Sequence, residues 1–391
     1  MVIPRGDAVA LARALIKIDS RNPTLAPDSP GEGPCAFFLA DVLEQWGFSV
    51  QVFEKSGRPS VVASIGPRDA PALMFNGHTD VVGIEGMTHA PFSAELREGR
   101  IYGRGSADMK GGLAAMCAAA AIGAGPSPVQ RIVIAAVADE EYDSAGTRTL
   151  LDSGIRADAA IIGEPTKLAI CTAHRGFAWF EVTVRGRAAH GSRYDIGVDA
   201  ITHAALLLAE LDVLEQTRNA GPRHPLLGRG SLHASTIKGG SGISTYPELC
   251  VLSIERRTLP GEAPDAPLRE ILDACARVRS SHADFDADVT LTNAQLPSDV
   301  ATDSPVVQLV VRGLQKDGLE PRVEGLSAWT DAALLNAAGI PAICFGPGDI
   351  SMAHAAEEFV TVDEIDAATR VLTNIARDWC NPSSTERDWR N

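Results

Sequence analysis

The sequence lacks any apolar run long enough to cross a membrane. Its longest run, residues 113–122, is shorter than the roughly 20 residues that a transmembrane helix needs, and is predicted to form a buried helix. Residues 1–20 include Asp7 and lack the apolar segment and cleavage site of a signal peptide. These absences predict a protein without a membrane partner, located in the cytoplasm.

Basic residues and paired cysteines are also scarce. The chain has 35 Lys and Arg residues against 50 Asp and Glu residues, and its net charge of −15 argues against a nucleic acid or an anionic membrane as a partner. Its seven cysteines are odd in number and include no C-x-x-C pair. We therefore expect them to be small core residues in a reducing compartment.

The chain is long, apolar and regularly patterned. With 391 residues, 45% of them hydrophobic, it exceeds what one core usually organises, so two domains are expected. From residue 8 to about 176, predicted strands alternate with helices, which indicates a parallel sheet. The next elements follow the ferredoxin-like order β-α-β-β-α-β. They are strands 177–184, 231–238, 249–257 and 288–292, with helices 198–215 and 267–278.

The motif NGHTD at residues 76–80 ends an apolar run that is typical of a buried strand in a parallel sheet. His78 and Asp80 lie two residues apart, so their side chains point to the same side, at the edge where such sheets bind ligands. A zinc-bound histidine usually donates its other ring N–H to a carboxylate or a carbonyl. His78 is therefore predicted to be a metal ligand and Asp80 its orienting partner.

Further residues of metal-binding type follow other strand-like runs, so all of them are expected at one edge of the sheet. They are Asp108, Glu140, Glu141, Glu164 and His354. Two histidines and three carboxylates suit zinc, with either Glu140 or Glu141 as one of the three, but five ligands are too many for one ion. The simpler prediction is a pair of ions bridged by one carboxylate.

Each of these residues also has an ordinary structural explanation. A single aspartate in a glycine-rich loop, such as Asp108, is commonly a turn residue or a helix cap. Adjacent acids such as Glu140 and Glu141 commonly belong to a solvated loop. A single histidine is commonly a hydrogen-bonded surface or core residue. The combination favours metal binding because the residues follow separate predicted strands at the same end.

As a set, the motifs resemble the acetylornithine deacetylase, succinyl-diaminopimelate desuccinylase and carboxypeptidase G family over residues 8–372. The motifs are GHTDVV at 77–82, GRGSADMKGG at 103–112, DEE at 139–141, GEPT at 163–166 and GPG at 346–348 with His354. The resemblance implies an α/β fold, with a zinc-peptidase-like catalytic domain on a mixed, mainly parallel sheet. It also implies a hydrolase that uses two Zn²⁺ ions, replaceable by Co²⁺ or Mn²⁺, to cleave amide bonds of N-acyl amino acids.

The resemblance further implies a role for each ligand. Asp108 bridges the two metals. The other ligands are His78 and Glu164 on one metal and Glu141 and His354 on the other. Glu140 corresponds to the family's general base, although spacing alone leaves open whether Glu140 or Glu141 has that task.

The ligands also indicate the domain boundaries. His354 must meet His78, so the chain after about residue 296 has to return to the first domain. We expect a catalytic domain formed by residues 1–176 and 295–391, and an inserted domain formed by residues 177–294. The resemblance implies that the insert is a lid and that it forms a homodimer.

The insert carries the candidates for substrate binding. The resemblance implies that His190 reaches the neighbouring subunit's site and stabilises the oxyanion, and that Arg257, rather than Arg256, binds the substrate carboxylate. A fixed N–H donor and a guanidinium fork suit these tasks. The same resemblance assigns Gly348 to the substrate pocket. Without the resemblance, the expectation would be different, because a histidine and an arginine at strand ends are usually solvated.

One departure from the family concerns the substrate contact. Many relatives have an asparagine about four residues after a Gly-Gly pair, where this chain has Ser244, followed by Thr245 and Tyr246. The contact is expected to pass to Ser244 or to its two neighbours. Trp329 and Asp331 precede a predicted helix at 332–338, where they could wall the pocket, or Asp331 could be only the helix N-cap.

These features predict an acetylornithine deacetylase-like hydrolase of a small N-acyl amino acid, in which Glu140 removes a proton from zinc-bound water and the hydroxide attacks the amide. A succinyl-diaminopimelate desuccinylase-like or carboxypeptidase G-like hydrolase is the alternative. A non-catalytic metal-binding protein of the same fold should lack Glu140 or a ligand. A nucleotide-binding protein would need a phosphate loop that residues 103–105 do not match.

Overall fold

The computed structural model describes residues 2–382, and the chain divides into two compact units. The first comprises Met1–Thr172, Val300–Glu324 and Thr330–Asn391, and the second comprises Ala173–Asp299 and Gly325–Trp329. The short stretch 325–329 was expected in the catalytic domain. It belongs to the second unit because Gly325 packs against Leu227, and Trp329 packs edge-on against Phe177.

The elements up to residue 174 are α1 (Ala8–Ile16), α2 (Gly33–Gln45), β1 (Ser49–Lys55), β2 (Arg58–Ile65), β3 (Ala72–His78), β4 (Glu95–Arg97), β5 (Arg100–Tyr102), α3 (Gly111–Gly123), β6 (Arg131–Val137), α4 (Ala145–Asp152), β7 (Ala159–Ile162) and β8 (Ile170–His174). Those that follow are β9 (Gly176–Arg185), β10 (Ala189–His190), α5 (Ala200–Asn219), β11 (Ser231–Gly239), β12 (Thr245–Tyr246), β13 (Leu249–Thr258), α6 (Ala266–Ser281), β14 (Asp286–Gln295), β15 (Ser298–Asp299), α7 (Pro305–Lys316), β16 (Val323–Leu326), α8 (Ala332–Ala337), β17 (Ala342–Cys344), β18 (Phe359–Thr361) and α9 (Val362–Cys380).

The first unit is built on a mixed sheet with the strand order β1-β2-β6-β3-β7-β17-β8. The central strands β6, β3, β7 and β17 are parallel, which confirms the predicted α/β class. The outer pairs are antiparallel. At one edge the cause is local, because the two residues Ser56 and Gly57, both with positive φ, form a turn too short for a crossover.

Helix α3 confirms the predicted buried helix. It is buried along nearly its whole length, and its many alanines allow close packing. At Gly112 the approach is so close that a Cβ atom would lie 1.9 Å from the carbonyl oxygen of Gly163. Only glycine fits there. The contact holds the loop that contains Asp108, just before α3, near the end of β7.

The second unit contains a four-stranded antiparallel sheet with the order β11-β13-β9-β14. Its elements follow each other as β9, α5, β11, β13, α6 and β14, which is the predicted β-α-β-β-α-β order. Apolar residues such as Phe180, Leu207 and Ile271 from the sheet and both helices form its core. The observed ends differ from the predicted ones by a few residues. Helix α5, for example, begins after Asp199, which accepts hydrogen bonds from two backbone N–H groups.

The seven cysteines all lie within the described residues, and all are buried and free of disulfide bonds. Burial raises the pKa of the Cys171 and Cys380 thiols to about 12, so both stay protonated at neutral pH. Within residues 2–382, no helix combines the length and the apolar character needed to cross a bilayer.

Candidate metal centre

Three parallel strands of the first unit end together and place polar side chains at one edge. Strand β3 ends at His78, which is in register with Val137 of β6, and Asn76 is in register with Ile162 of β7. The residues just after β6 and β7 include Glu140, Glu141 and Glu164. The apolar strands therefore deliver the predicted ligands to the same edge of the sheet.

Asp108 lies between two histidines. Its Oδ1 is 3.0 Å from His78 Nε2, and its Oδ2 is 3.8 Å from His354 Nε2. His354 Nε2 is also 3.1 Å from Glu141 Oε2. Three potential ligand atoms, one each from His78, Asp108 and Glu141, lie within 4.8 Å of one another. Four predicted ligands thus come together, and Asp108 offers one oxygen to each histidine.

The electrostatics of this cluster suit a cation. Burial raises the pKa of Glu164 well above its usual range, and the charge of Asp108 adds to the effect. Burial and Asp108 likewise raise the pKa of Glu141, whose Oε1 is buried without a hydrogen-bond partner among the described residues. Buried carboxylates are normally paired or coordinate a metal. Histidine and carboxylate oxygen are also the donors that zinc accepts, so the residues fit a metal site.

Glu140 occupies a different position from its neighbour Glu141. Its Oε2 lies 4.0 Å from His78 Nε2, whereas Glu141 contacts His354. Burial raises the pKa of Glu140 well above its usual range, with His78 opposing the shift and Glu164 reinforcing it. A carboxyl group with a raised pKa, close to the ligands, is suited to accept and return a proton near neutral pH. The sequence alone could not separate the two glutamates in this way.

Asp80 acts differently from the expectation that its side chain orients His78. The nearest Asp80 group to His78 Nδ1 is the backbone carbonyl oxygen, at 2.9 Å, while the carboxylate is 3.6 Å away. The carboxylate accepts hydrogen bonds from the backbone N–H groups of Glu140 and Glu141, both at 3.2 Å. The carbonyl is therefore the orienting group, and the side chain holds the two glutamates in place.

A buried polar chain behind Asp80 was not found from the sequence. Asn22 donates to Asp80 and to Asp139, at 2.9 Å in each case. Arg58 pairs with Asp139 at 2.8 Å and also with the buried Glu32. Asp139 could have been noted as part of the acidic run after β6. Asn22, Glu32 and Arg58 carry no local signal, because the contacts join segments distant in the chain.

Glu358 is a further residue near the metal centre that was not predicted from the sequence. It is fully buried, and its Oε1 accepts the backbone N–H groups of Ala107, at 3.0 Å, and Asp108, at 3.2 Å. Its Oε2 forms an ion pair with Arg104 at 2.7 Å. Glu358 and Arg104 thus support the loop that presents Asp108. The adjacent acids Glu357 and Glu358 look alike in sequence, and only the fold buries one of them.

We expect Glu358→Gln to weaken metal binding about 10- to 100-fold, the usual effect of losing a group that supports a ligand. Glutamine keeps the size of the side chain but removes the charge that holds Arg104. The metal dissociation constant, measured by competition with a chelator, is the direct test. Exposed Glu357 provides the matched control, since Glu357→Gln should bind metal normally. Equal affinities in both variants would show that Glu358 does not support the centre.

The second unit contains three of the predicted substrate residues. His190 lies opposite Thr245 in the β10–β12 ribbon, and the N–H of Gly191 donates to the carbonyl of Ser244 at 2.7 Å. The ribbon therefore places His190 beside Ser244. His190 is exposed, and its Nδ1 accepts from the backbone N–H of Ser192 at 3.3 Å. The same Nδ1 lies 2.8 Å from the Ser192 hydroxyl oxygen, so Ser192 holds the ring in place.

The two adjacent arginines of β13 have different environments. Arg256 is 1% exposed, and its guanidinium pairs with Glu262 and Glu270. Arg257 is half-buried, lies 5.5 Å from the ring centre of Phe177 and pairs with Glu255 at 3.0 Å. Arg256 is thus engaged inside the unit, which leaves Arg257 as the more accessible cation.

The remaining candidates are divided between the units. Gly348, in the first unit, has φ of 90° and accepts a hydrogen bond from the N–H of Lys167, so it packs beside the segment that follows Glu164. Asp331 precedes α8 but makes no capping hydrogen bond, and accepts one from Thr147 instead. Burial raises the pKa of Asp331 to about 6. The indole of Trp329 donates to the Leu296 carbonyl within the second unit.

Comparison with known sequences identifies similar proteins. The profile of peptidase family M20/M25/M40 matches residues 74–378. An acetylornithine deacetylase of Myxococcus xanthus is 30% identical over 317 residues, which cover 79% of this chain and 80% of that protein. A succinyl-diaminopimelate desuccinylase of Paracoccus denitrificans is 31% identical over 371 residues, which cover 89% and 93%.

Solved structures share the fold. A tripeptidase from Staphylococcus aureus matches with a TM-score of 0.79 at 19% identity, over 97% of this chain and 100% of that one. A dinuclear metal-binding peptidase from Bacillus subtilis matches with a TM-score of 0.71 at 15% identity, over 95% and 97%. Both matches cover nearly the whole chain, so the likeness extends over both units.

Proposed function

The chain belongs to peptidase family M20/M25/M40, and from this premise we propose that it is a two-zinc deacylase of small N-acyl amino acids. It is a metal-dependent amidohydrolase. The observation that carries the two-metal proposal is the position of Asp108, with one carboxylate oxygen toward His78 and the other toward His354. A shared carboxylate of this kind is what a pair of metal ions requires.

We assign the ligands as the family resemblance implies, and the contacts of Asp108 with both histidines and of Glu141 with His354 support the assignment. Asp108 would be shared, Glu141 and His354 would hold one ion, and His78 and Glu164 would hold the other. When bound, two zinc ions supply Lewis acidity, which polarises an amide carbonyl and makes water more acidic. The buried, unpartnered Oε1 of Glu141 supports its place among the ligands. Co²⁺ or Mn²⁺ accepts the same donor set and could substitute.

Glu140 is proposed to move the proton. Its carboxylate accepts a proton from water as the water oxygen attacks the amide carbon. It then returns that proton to the nitrogen when the carbon–nitrogen bond breaks, so that the amine leaves neutral. The raised pKa of Glu140 makes its carboxylate a stronger base toward the water proton. Asp80 supports this role by binding the backbone N–H of Glu140, which limits movement of the glutamate.

The substrate is proposed to contact the second unit. Arg257 offers a guanidinium for the substrate carboxylate, since Arg256 is occupied by Glu262 and Glu270. His190, exposed in the β10–β12 ribbon, is proposed to donate a ring N–H to the developing oxyanion. Ser244, beside His190, and Gly348 are proposed as further pocket residues. In this proposal, His190 serves the site of the second subunit of a homodimer.

The acyl group is proposed to be acetyl and the amino acid ornithine-like, on the basis of the acetylornithine deacetylase relative. The desuccinylase relative, at 31% identity, makes succinyl-diaminopimelate the second candidate. A carboxypeptidase G-like activity would favour dipeptides or acylated glutamate instead. A non-catalytic metal-binding protein has less support, because Glu140 and all five predicted ligands are present in the sequence.

A substrate screen tests the proposal. The zinc-loaded enzyme is assayed with N-acetyl, N-succinyl and N-formyl amino acids and with dipeptides, and metal content is measured by elemental analysis. We expect N-acetylornithine to give the highest kcat/KM and about two zinc ions per chain. A clear preference for N-succinyl-diaminopimelate would select the second candidate. Failure to hydrolyse any of these amides in the metal-loaded state would contradict a deacylase.

A further inference from the structure

A cavity lies in the first unit, at the opposite end of the central sheet from the metal centre. It has a volume of about 1030 Å³, and its lining includes Val52 of β1, Ala72 at the start of β3, and Arg131 at the start of β6. Strand β3 then runs from Ala72 to His78, a length of roughly 20 Å for six residue steps. A small molecule in this cavity therefore cannot contact the metal ligands.

The cavity concentrates positive charge in a chain whose net charge is −15. Arg68, Arg131 and Arg156 line it, together with Asp69 and Asp158. Arg156 donates to two backbone carbonyls, so these hydrogen bonds leave its charge without a neutralising partner. Asp158 already accepts the N–H of Ala72.

Arg131 is the central feature of this lining. Its guanidinium donates to two neutral acceptors, the Ser64 hydroxyl at 3.1 Å and the Arg68 carbonyl at 3.4 Å. Its Nε is buried and has no hydrogen-bond partner among residues 2–382. Burial and the charge of Arg68 lower the pKa of Arg131, and nearby Asp69 does not compensate. A partly buried cation with an unused N–H group is unusual unless an anion pairs with it.

The rest of the lining is partly apolar. Val52 is 42% exposed although it is a large aliphatic residue, and Ile155 is half-buried in the loop after α4. Both line the same cavity as the arginines. Apolar side chains thus lie beside the arginines in a lining that is mainly polar.

We propose that this cavity binds a small organic anion, whose oxyanion pairs with Arg131 and whose apolar body packs against Val52 and Ile155. The chemistry requires a carboxylate or a phosphate group at one end and a hydrocarbon or aromatic group at the other. Arg131 supplies the N–H groups of its terminal nitrogens Nη1 and Nη2, each of which makes one hydrogen bond within the protein and can offer its second N–H group to an oxyanion. The site is separate from the metal centre and from the proposed substrate.

Calorimetric titration with four probes of similar shape tests the proposal. Benzoate and phenyl phosphate should bind, whereas benzyl alcohol and benzylamine should not, because both lack the negative charge. Arg131→Gln should weaken binding of both anions roughly tenfold or more, through loss of a charge-assisted hydrogen bond. Val52→Glu, at an exposed position, should have a similar effect by placing a negative charge in the cavity. Arg370→Gln is the matched control, since Arg370 is an exposed arginine that pairs with Asp317.

Metals also bind carboxylates, so each titration is repeated with Asp108→Asn. Binding that survives in Asp108→Asn but weakens in Arg131→Gln and in Val52→Glu supports the cavity. Binding that disappears in Asp108→Asn and is unchanged in the two cavity variants would place the anion at the metals and overturn the proposal. Absence of saturable binding up to about 10 mM would overturn it as well. The tighter of the two anions identifies the preferred head group.

Discussion

Replacing Glu140 by glutamine is expected to lower kcat roughly 10²- to 10⁴-fold while the zinc content stays near that of the unmodified enzyme. Glutamine has the same size but cannot accept a proton from water. Glu140 lies 4.0 Å from His78 and outside the closest group of potential ligand atoms, so its charge is not needed to retain the metals. The measurements are kcat with N-acetylornithine and zinc per chain.

The adjacent residue provides the control. Glu141 contacts His354 and has a buried oxygen without a partner, so Glu141→Gln is expected to lower the occupancy of one metal. Added zinc should then restore part of its activity, whereas it should not rescue Glu140→Gln. If Glu140→Gln loses zinc and Glu141→Gln keeps it, the two residues have the opposite roles.

Mixing two inactive variants is expected to restore activity if His190 acts across a dimer. His190→Ala chains keep complete metal ligands, and Asp108→Ala chains keep His190. A heterodimer of the two has one complete site, formed by the metals of the first chain and the histidine of the second. With random exchange of equal amounts, roughly a quarter of the original activity should return, since half of the dimers are mixed and each has one working site.

The test uses the exposed position of His190 in the second unit. His190 is exposed, so its truncation should leave the fold intact, and the loss of activity would then come from the missing ring N–H. A parallel mixture of Asp108→Ala with Glu140→Gln separates the explanations. In that mixed dimer, each site lacks either the Asp108 carboxylate or the Glu140 carboxylate, although both chains keep His190. Activity should therefore stay low. No recovery with His190→Ala after verified exchange would mean that His190 serves its own chain or only holds its strand in place.

Much of the fold could be predicted because its signals are local. Apolar runs ending in polar residues predicted β3, β6 and β7, and the alternating pattern from residue 177 predicted the strands and helices of the second unit. The family resemblance implied a mixed sheet, but the residues alone did not predict which pairs of strands are antiparallel. The direction of a strand depends on the length of its connection and on its neighbour, as the Ser56-Gly57 turn illustrates.

In the metal centre, too, some features could be predicted from local sequence and others could not. The positions of His78 and Glu164 just after buried strands were visible in the chain, because strands of a parallel sheet share one carboxyl edge. The resemblance to a family then proposed separate roles for Glu140 and Glu141, which spacing alone left open. The structure gives them different neighbours, and it shows that Asp80 reaches His78 through its carbonyl rather than its carboxylate.

The sequence by itself therefore determined which segments become strands and helices and which residue types stand at their ends, since burial and periodicity are local properties. Only the tertiary structure decided that Glu358 supports the Asp108 loop from 250 residues away, and that Arg131 lines a cavity together with Arg68 and Arg156. These features arise when distant segments meet and exclude water. The free energy of a buried charge depends on the groups that surround it in the folded protein, and these groups cannot be identified from the neighbouring residues in the sequence.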